Sequence, residues 1–154
     1  MKFADLLNSK AVKAVTSASS KKRLMHDIAD VAESAYGISA QRAVEALLER
    51  ESLGPTGVGH GVALPHARLD GVDSVVGAFI LLEKPIDFEA IDRQPVDVIF
   101  ALFAPEDAGV EHLKALALVS RTLRDQNFCA KLRANPDPVT LHTIITEAAA
   151  VQAA

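Results

Sequence analysis

The sequence predicts an α/β protein in which a mixed β-sheet is flanked by helices on both faces within a single domain, residues 1–154. The 154 residues are 49% apolar and 23% charged, which is typical of one domain with a packed core. A nearly continuous apolar run at residues 96–103 indicates a central strand covered on both faces. Segments of helical periodicity stand before, between and after the strand-like runs, as expected of a sheet with helices packed against it.

The first third of the chain contains the patterns of a short strand and two helices. Residues 11–15 favour a strand. Ser19 or Ser20 is suited to cap the helix that follows, because a serine hydroxyl can accept the free N–H groups of a first turn. The apolar residues of this helix recur at helical spacing until Gly37, which favours a left-handed helix end. A second helix is predicted to end near Arg50.

Three more strands and three more helices are predicted in the rest of the chain. Residues 62–64 have the composition of a short strand, which Pro65 closes. Residues 74–82 and 96–103 are apolar runs of strand length, and residues 85–95 connect them. The remaining helical patterns occupy residues 110–123, 128–132 and 139–148.

Charge, cysteine content and hydropathy exclude several classes of protein. The net charge of −4 and the pI near 5.7 argue against a nucleic-acid-binding protein, which usually carries a basic surface. Cys129 is the only cysteine, so no internal disulfide can form, as is typical of a reducing compartment. No segment approaches the roughly 20 apolar residues of a membrane span. We therefore expect a cytoplasmic protein without membrane insertion.

Residues 54–61 form a glycine-rich segment that is a candidate phosphate loop. Its glycines permit tight turns and a close approach of backbone N–H groups to an anion. The segment is not a Walker A loop, since no Gly-Lys-Ser/Thr follows the glycines, and its glycine spacing differs from that of a dinucleotide loop. The residues assigned to this loop are Thr56, Gly57, Gly59 and Gly61.

His66 follows this segment directly after Pro65. Proline restricts the backbone on both sides, so the imidazole is expected to stand on a rigid elbow where a short strand ends at the sheet edge. A neutral imidazole is nucleophilic and can form a covalent intermediate. The residues alone leave a second interpretation open, in which His66 is exposed or structural. A metal site with His60 and His112 is not favoured, because no fourth ligand stands at a suitable spacing.

The segment from Arg50 to His66 closely resembles the phosphorylation-site signature of the fructose/mannitol-type enzyme IIA family of the bacterial phosphotransferase system. The likeness continues through residues 85–97 and 105–113 and covers nearly the whole chain. The Ser-Ser-Lys-Lys start of the first long helix and the single-domain length resemble the nitrogen-regulatory branch, IIA-Ntr. Pro55 departs from the family, which usually has serine there.

The resemblance implies a mixed sheet flanked by helices and a site built on His66. It implies that His66 is phosphorylated and that Arg50 and His112 lie beside it. Apart from the resemblance, Arg50 would be a cation at a helix C-terminus and His112 a residue on the polar side of a helix. The family resemblance also implies that the protein is a phosphotransferase that works as a relay component, with a phosphohistidine intermediate. Such a protein needs no cofactor or metal, because the donor, an HPr-like phosphocarrier, already carries the phosphoryl group.

Partner proteins are expected to dock on an apolar face, for which Val62, Leu64 and residues near Val110 are candidates. In one function, the phosphorylation state of His66 controls binding to regulatory target proteins in nitrogen-related metabolism. In the alternative, the protein is a sugar-transport component that passes the phosphoryl group to a IIB domain. A third interpretation is a binding module in which His66 is inert. The branch resemblance favours the regulatory function.

Overall fold

The computed structural model describes residues 1–153, with side chains through residue 147. The described residues form a six-stranded mixed sheet and six α-helices, which confirms the predicted fold class. The strands are β1 (Val12–Val15), β2 (Gly57–Gly59), β3 (Val62–Ala63), β4 (His66–Leu69), β5 (Val76–Ile86) and β6 (Val96–Pro105). The helices are α1 (Phe3–Leu6), α2 (Lys21–Tyr36), α3 (Ala40–Leu53), α4 (Val110–Leu123), α5 (Gln126–Arg133) and α6 (Pro138–Ala153). Among them, none has the length and hydropathy needed to cross a membrane.

Strand β6 lies at the centre of the sheet, as its continuous apolar run predicts. It is antiparallel to β5 on one side and parallel to β3 and β4 on the other. β1 pairs in parallel with β5, and β2 pairs antiparallel with β3. The ring of Phe100 on β6 lies 6.1 Å from that of Phe79 and 5.6 Å from that of Phe3, measured between centroids. Residues on both faces of β5 and β6 are buried, so the core extends on both sides of the sheet.

Strands β3 and β4 form one interrupted strand along the same side of β6. Ala63 lies opposite Ile99 and His66 opposite Leu102, so the register continues through the interruption. The carbonyl of Pro65 still accepts the N–H of Leu102 at 2.9 Å. The predicted elbow is therefore wrong in one respect: His66 does not follow the end of this strand but begins its second half. Proline breaks the ladder locally because it has no N–H to donate.

The glycine-rich segment forms a β-hairpin, which the sequence did not predict as a strand pair. β2 and β3 are joined by His60 and Gly61, whose φ angles of 56° and 82° are both positive, as a tight type I′ turn requires. Gly57 packs so closely that a Cβ atom there would lie 2.7 Å from Cβ of Ala90. Gly61 permits the tight turn and Gly57 permits the close packing, and strand propensity calculated from the local sequence predicts neither.

Helix α3 continues further than the sequence predicts. It ends at Leu53 rather than near Arg50, and Gly54 donates its N–H to the carbonyl of Glu51 at 3.2 Å. Arg50 therefore lies within the last turn of the helix. The predicted ends of α2 are confirmed: the hydroxyl of Ser20 caps its first turn and Gly37 ends it with φ 73°.

Candidate functional site

An open cleft lies where α3, β4 and α4 meet. The last turn of α3 contributes Arg50, β4 contributes His66 and Arg68, and the first turn of α4 contributes His112. Alternate residues of a strand point to the same face, so His66 and Arg68 share the cleft side of β4 while Ala67 and Leu69 are buried. The cleft is lined by Ala46, Glu49, Arg50, Leu53, His66, Ala67, Arg68, His112, Leu113 and Leu116.

Two hydrogen bonds define the tautomer of His66. Nδ1 lies 2.9 Å from the carbonyl oxygen of Leu64, and this oxygen can only accept, so Nδ1 carries the hydrogen. Nε of Arg50 donates to Nε2 of His66 at 3.3 Å, so Nε2 carries the lone pair. Burial lowers the pKa of His66, and the charge of Arg50 acts in the same direction, although the bond to Leu64 opposes them. His66 is therefore a neutral imidazole at pH 7 with a nucleophilic Nε2.

Arg50 is oriented from both ends of its guanidinium. Nη1 donates to the carbonyl oxygen of Gly54 at 3.0 Å while Nε reaches His66. Its neighbour Glu51 accepts from the N–H and the hydroxyl of Thr56, the latter at 2.6 Å, and lies 3.5 Å from Nζ of Lys21. The end of α3 is thus tied to the glycine-rich segment and to the start of α2. This anchoring holds the Arg50 side chain against the imidazole.

The residues assigned to a phosphate loop do not line the cleft. Thr56 is buried on Glu51. Gly57 lies against Ala90, and a Cβ atom at Gly61 would lie 2.6 Å from Nη2 of Arg133. Gly59 has a positive φ of 105°, a backbone conformation that favours glycine. Packing, hydrogen bonding or backbone conformation explains each of the four residues without a bound phosphate. Of the assigned site residues, Arg50, His66 and His112 are the ones that the structure brings together in the cleft.

His112 is buried, with 4% of its surface exposed, although the pattern of α4 places it on the polar side. Its ring lies edge-on to that of His66, with 5.6 Å between centroids. Nε of Arg68 donates to Nδ1 of His112 at 3.2 Å. Nε2 of His112 is buried without a hydrogen-bond partner within the described part of the chain. Burial, and secondarily the charges of His66 and Arg68, lower the pKa of His112 to about 4.

The pKa of His112 predicts an acid-dependent loss of stability. The folded pKa of about 4 lies below the ordinary 6.5, so between these values the unfolded chain binds the proton and the folded chain does not. The contribution of His112 to the free energy of unfolding is therefore fully present above pH 6.5. It falls by about 3 kcal/mol as the pH falls toward 4, at 1.36 kcal/mol per pKa unit. Urea unfolding of the wild type at pH 7 and pH 4 should show this loss.

A His112→Gln variant should lose about 3 kcal/mol less between the two pH values, since it lacks the titrating group. His26→Gln is the matched control, because His26 is exposed on α2. Equal pH dependence of the wild type and His112→Gln would contradict this prediction.

Of the residues expected to form an apolar docking face, those near Val110 are exposed, whereas Val62 and Leu64 are not. Val62 and Leu64 are buried, because β3 lies inside the sheet between β2 and β6. The exposed apolar side chains at the cleft are Leu53 and Leu113, with 81% and 63% of their surfaces exposed, and Val110 is exposed in the same turn of α4 as Leu113. Leu113 stands in a segment that the family resemblance covers, and Leu53 lies at the cleft because α3 extends past Arg50.

His60, considered with His66 and His112 for a metal site, lies at the tip of the hairpin. Its Nδ1 is 3.4 Å from the side-chain amide of Gln126, and its backbone N–H donates to Asp92. Within the described residues, no three His, Cys, Asp or Glu side chains are grouped so that they could hold a metal ion. The histidines that share the cleft are therefore His66 and His112.

Comparison with known proteins gives consistent results. Residues 5–148 match the family described as phosphoenolpyruvate-dependent sugar phosphotransferase system, EIIA 2. A "Nitrogen regulatory protein" of Bradyrhizobium diazoefficiens is 43% identical over 145 residues, which cover 94% of this chain and 95% of that protein. The crystal structure of nitrogen regulatory protein IIA-Ntr from Neisseria meningitidis superposes with a TM-score of 0.86 at 34% identity, covering 92% of this chain and 97% of that one.

A more distant structure shares the fold alone. Enzyme IIAMTL from Escherichia coli, solved in complex with phosphorylated enzyme IIBMTL, is 18% identical with a TM-score of 0.71, covering 90% of this chain and 99% of that one. The architecture built around the cleft is therefore maintained at low sequence identity.

Proposed function

Since the chain belongs to the EIIA 2 family of the phosphoenolpyruvate-dependent sugar phosphotransferase system, we propose that it is phosphorylated on His66 by an HPr-like phosphocarrier and controls partner proteins through its phosphorylation state. The observation that carries the proposal is the state of His66: a neutral imidazole whose Nε2 lone pair faces the guanidinium of Arg50 in an open cleft. Phosphoryl transfer depends mainly on positioning and on stabilising the charge of the transferred group.

In the proposed reaction, Nε2 of His66 attacks the phosphorus in line with the histidine nitrogen of the donor. The N–P bond of the donor breaks as the new N–P bond forms, and the donor nitrogen recovers its electron pair. Arg50, which contacts Nε2 beforehand, is placed to bind the phosphoryl oxygens. The Nδ1–H bond to Leu64 stabilises the positive charge that the ring acquires. Arg68 and the start of α4 add further positive potential.

Regulation follows from the charge that the phosphoryl group adds. It brings about −1.5 to −2 charges at pH 7 to a cleft that holds two arginines and Glu49. Leu53 and Leu113 form an apolar rim at the same cleft. A partner that docks on this rim therefore meets a different electrostatic surface in each phosphorylation state. Differential affinity of this kind is required of any switch. The names of similar proteins, "Nitrogen regulatory protein" among them, support the regulatory function.

The alternative is onward transfer in sugar transport. The family description names a sugar phosphotransferase system, and enzyme IIAMTL forms a complex with phosphorylated IIBMTL. The same cleft would serve this function if the phosphoryl group left His66 for a IIB domain. The two functions differ in the fate of the phosphoryl group rather than in the site.

The regulatory proposal is tested by comparing partners captured in the two states. The protein is phosphorylated from phosphoenolpyruvate with the general phosphotransferase components, and pull-downs compare the phosphorylated protein, the unphosphorylated protein and His66→Ala. We expect the phosphorylated protein to capture a different set of partners from the other two, which should agree with each other. Rapid loss of the phosphoryl group to a sugar-specific IIB domain, with one set of partners in both states, would establish the transport alternative instead.

A further inference from the structure

The unpartnered Nε2 of His112 is a feature that the fold alone does not explain. Buried polar groups in proteins are almost always hydrogen-bonded, and an unsatisfied one costs roughly 1–3 kcal/mol. This nitrogen belongs to a ring that lines the cleft beside His66, with 5.6 Å between the two centroids. With His66 phosphorylated as proposed, the phosphoryl group is the candidate for the missing partner, since the two rings are in edge-on contact.

The chemistry of that contact depends on the tautomer of His112. Phosphoryl oxygens are acceptors, so Nε2 must carry a hydrogen to bind them. If the hydrogen were on Nδ1, Nε2 would turn a lone pair toward the anion and repel it. A neutral imidazole in water populates both tautomers, and the bond that the other nitrogen makes decides between them. At Nδ1 of His112 that bond comes from Arg68.

We propose that Arg68 is a positioning residue that holds His112 in the tautomer with hydrogen on Nε2, so that this N–H donates to the phosphoryl group on His66. The guanidinium of Arg68 can only donate, so its bond to Nδ1 requires a lone pair there and leaves the hydrogen on Nε2. The low pKa of His112 keeps the ring neutral, so the tautomer rather than ionisation determines which nitrogen donates. The part of the inference that concerns the phosphoryl group rests on the proposed function.

Arg68 and His66 also lie on the same side of β4, two residues apart. The same short strand therefore fixes the nucleophile and the residue that orients its neighbour. Arg68 is itself largely exposed, so its replacement is not expected to prevent folding. This makes the inference open to a direct test.

The tautomer is measured by long-range ¹H–¹⁵N NMR of the imidazole nitrogens in the unphosphorylated protein. In the wild type, we expect His112 to show a protonated Nε2 and an unprotonated Nδ1. Arg68→Met keeps the apolar stem but removes the donor, and we expect a mixture of the two tautomers. Arg68→Lys retains a donor and should restore the wild-type signals. Arg42→Met removes an exposed arginine that pairs with Asp70, and it serves as the charge control.

The kinetic consequence is measured as the rate of phosphorylation by the phosphocarrier. Arg68→Met should be slowed about twofold or more, in proportion to the fraction of His112 rings that lack a hydrogen on Nε2, while Arg68→Lys and Arg42→Met should remain near the wild type. An unchanged tautomer in Arg68→Met, or a wild-type His112 with hydrogen on Nδ1, would overturn the role of Arg68. Failure of the wild type to accept any phosphoryl group would instead overturn the proposed function and the donor role of His112, and it would leave the tautomer measurement interpretable.

Discussion

A His66→Ala variant is expected to accept no phosphoryl group, whereas the wild type accepts one. The reason is that Nε2 of His66 is the proposed nucleophile, and alanine offers no atom that can form the N–P bond. Incubation with phosphoenolpyruvate and the general phosphotransferase components, followed by intact-mass measurement, checks this. The modification on the wild type should be lost in acid and retained in base, as expected of a phosphohistidine.

The control for this experiment is His60→Ala. His60 lies within the glycine-rich segment, but its ring contacts Gln126 at the hairpin tip, so the variant should accept the phosphoryl group as the wild type does. Circular dichroism should show both variants folded. A phosphoryl group found on the His66→Ala variant at any residue would refute the assignment of His66.

An Arg50→Ala variant is expected to accept the phosphoryl group about 10²-fold more slowly than the wild type, the typical effect of removing one preorganised donor from a developing anion. The guanidinium is held between Gly54 and His66, so it needs little reorganisation to bind phosphoryl oxygens. Single-turnover transfer from the phosphorylated carrier gives the rate directly.

Two further arginine variants separate position from charge. Arg42→Ala removes an exposed arginine of the same helix and should be phosphorylated at the wild-type rate. Arg50→Lys keeps the charge but cannot hold both Gly54 and His66, so its rate should lie between those of the wild type and Arg50→Ala. A rate for Arg50→Ala equal to that of the wild type would leave Arg50 as a helix-terminal cation only.

The long elements were predictable because their signals are local. α2 has a serine cap and a glycine end, and β6 has an unbroken apolar run. The elements that were missed are short and depend on partners distant in the chain. β2 consists of two glycines and a valine, and α1 has only four residues. β4 is defined as a strand by its pairing with β6, which lies far away in the sequence.

The same distinction applies to the site. Arg50, His66 and His112 were assigned through a family resemblance, and the structure brings them into one cleft. Arg68 was not identified, because its contribution depends on β4 being a strand: only then do His66 and Arg68 share a face. The burial of His112 could not be predicted from the sequence either, because it results from the packing of α4 beside the sheet and not from the apolar pattern of α4 itself.

The edge that β4 leaves unpaired among the described strands has a consequence for self-association. Exposed strand edges present unpaired N–H and C=O groups that can recruit other chains, and natural proteins counter this with short strands, prolines and charges. Among the described strands, β4 pairs only with β6, is four residues long, follows Pro65 directly and carries the charged Arg68. The residues that hold His66 in place therefore also disfavour strand addition and aggregation at that edge. Under the proposed function, a site that other proteins approach repeatedly is in this way protected from strand pairing with another copy of its own chain.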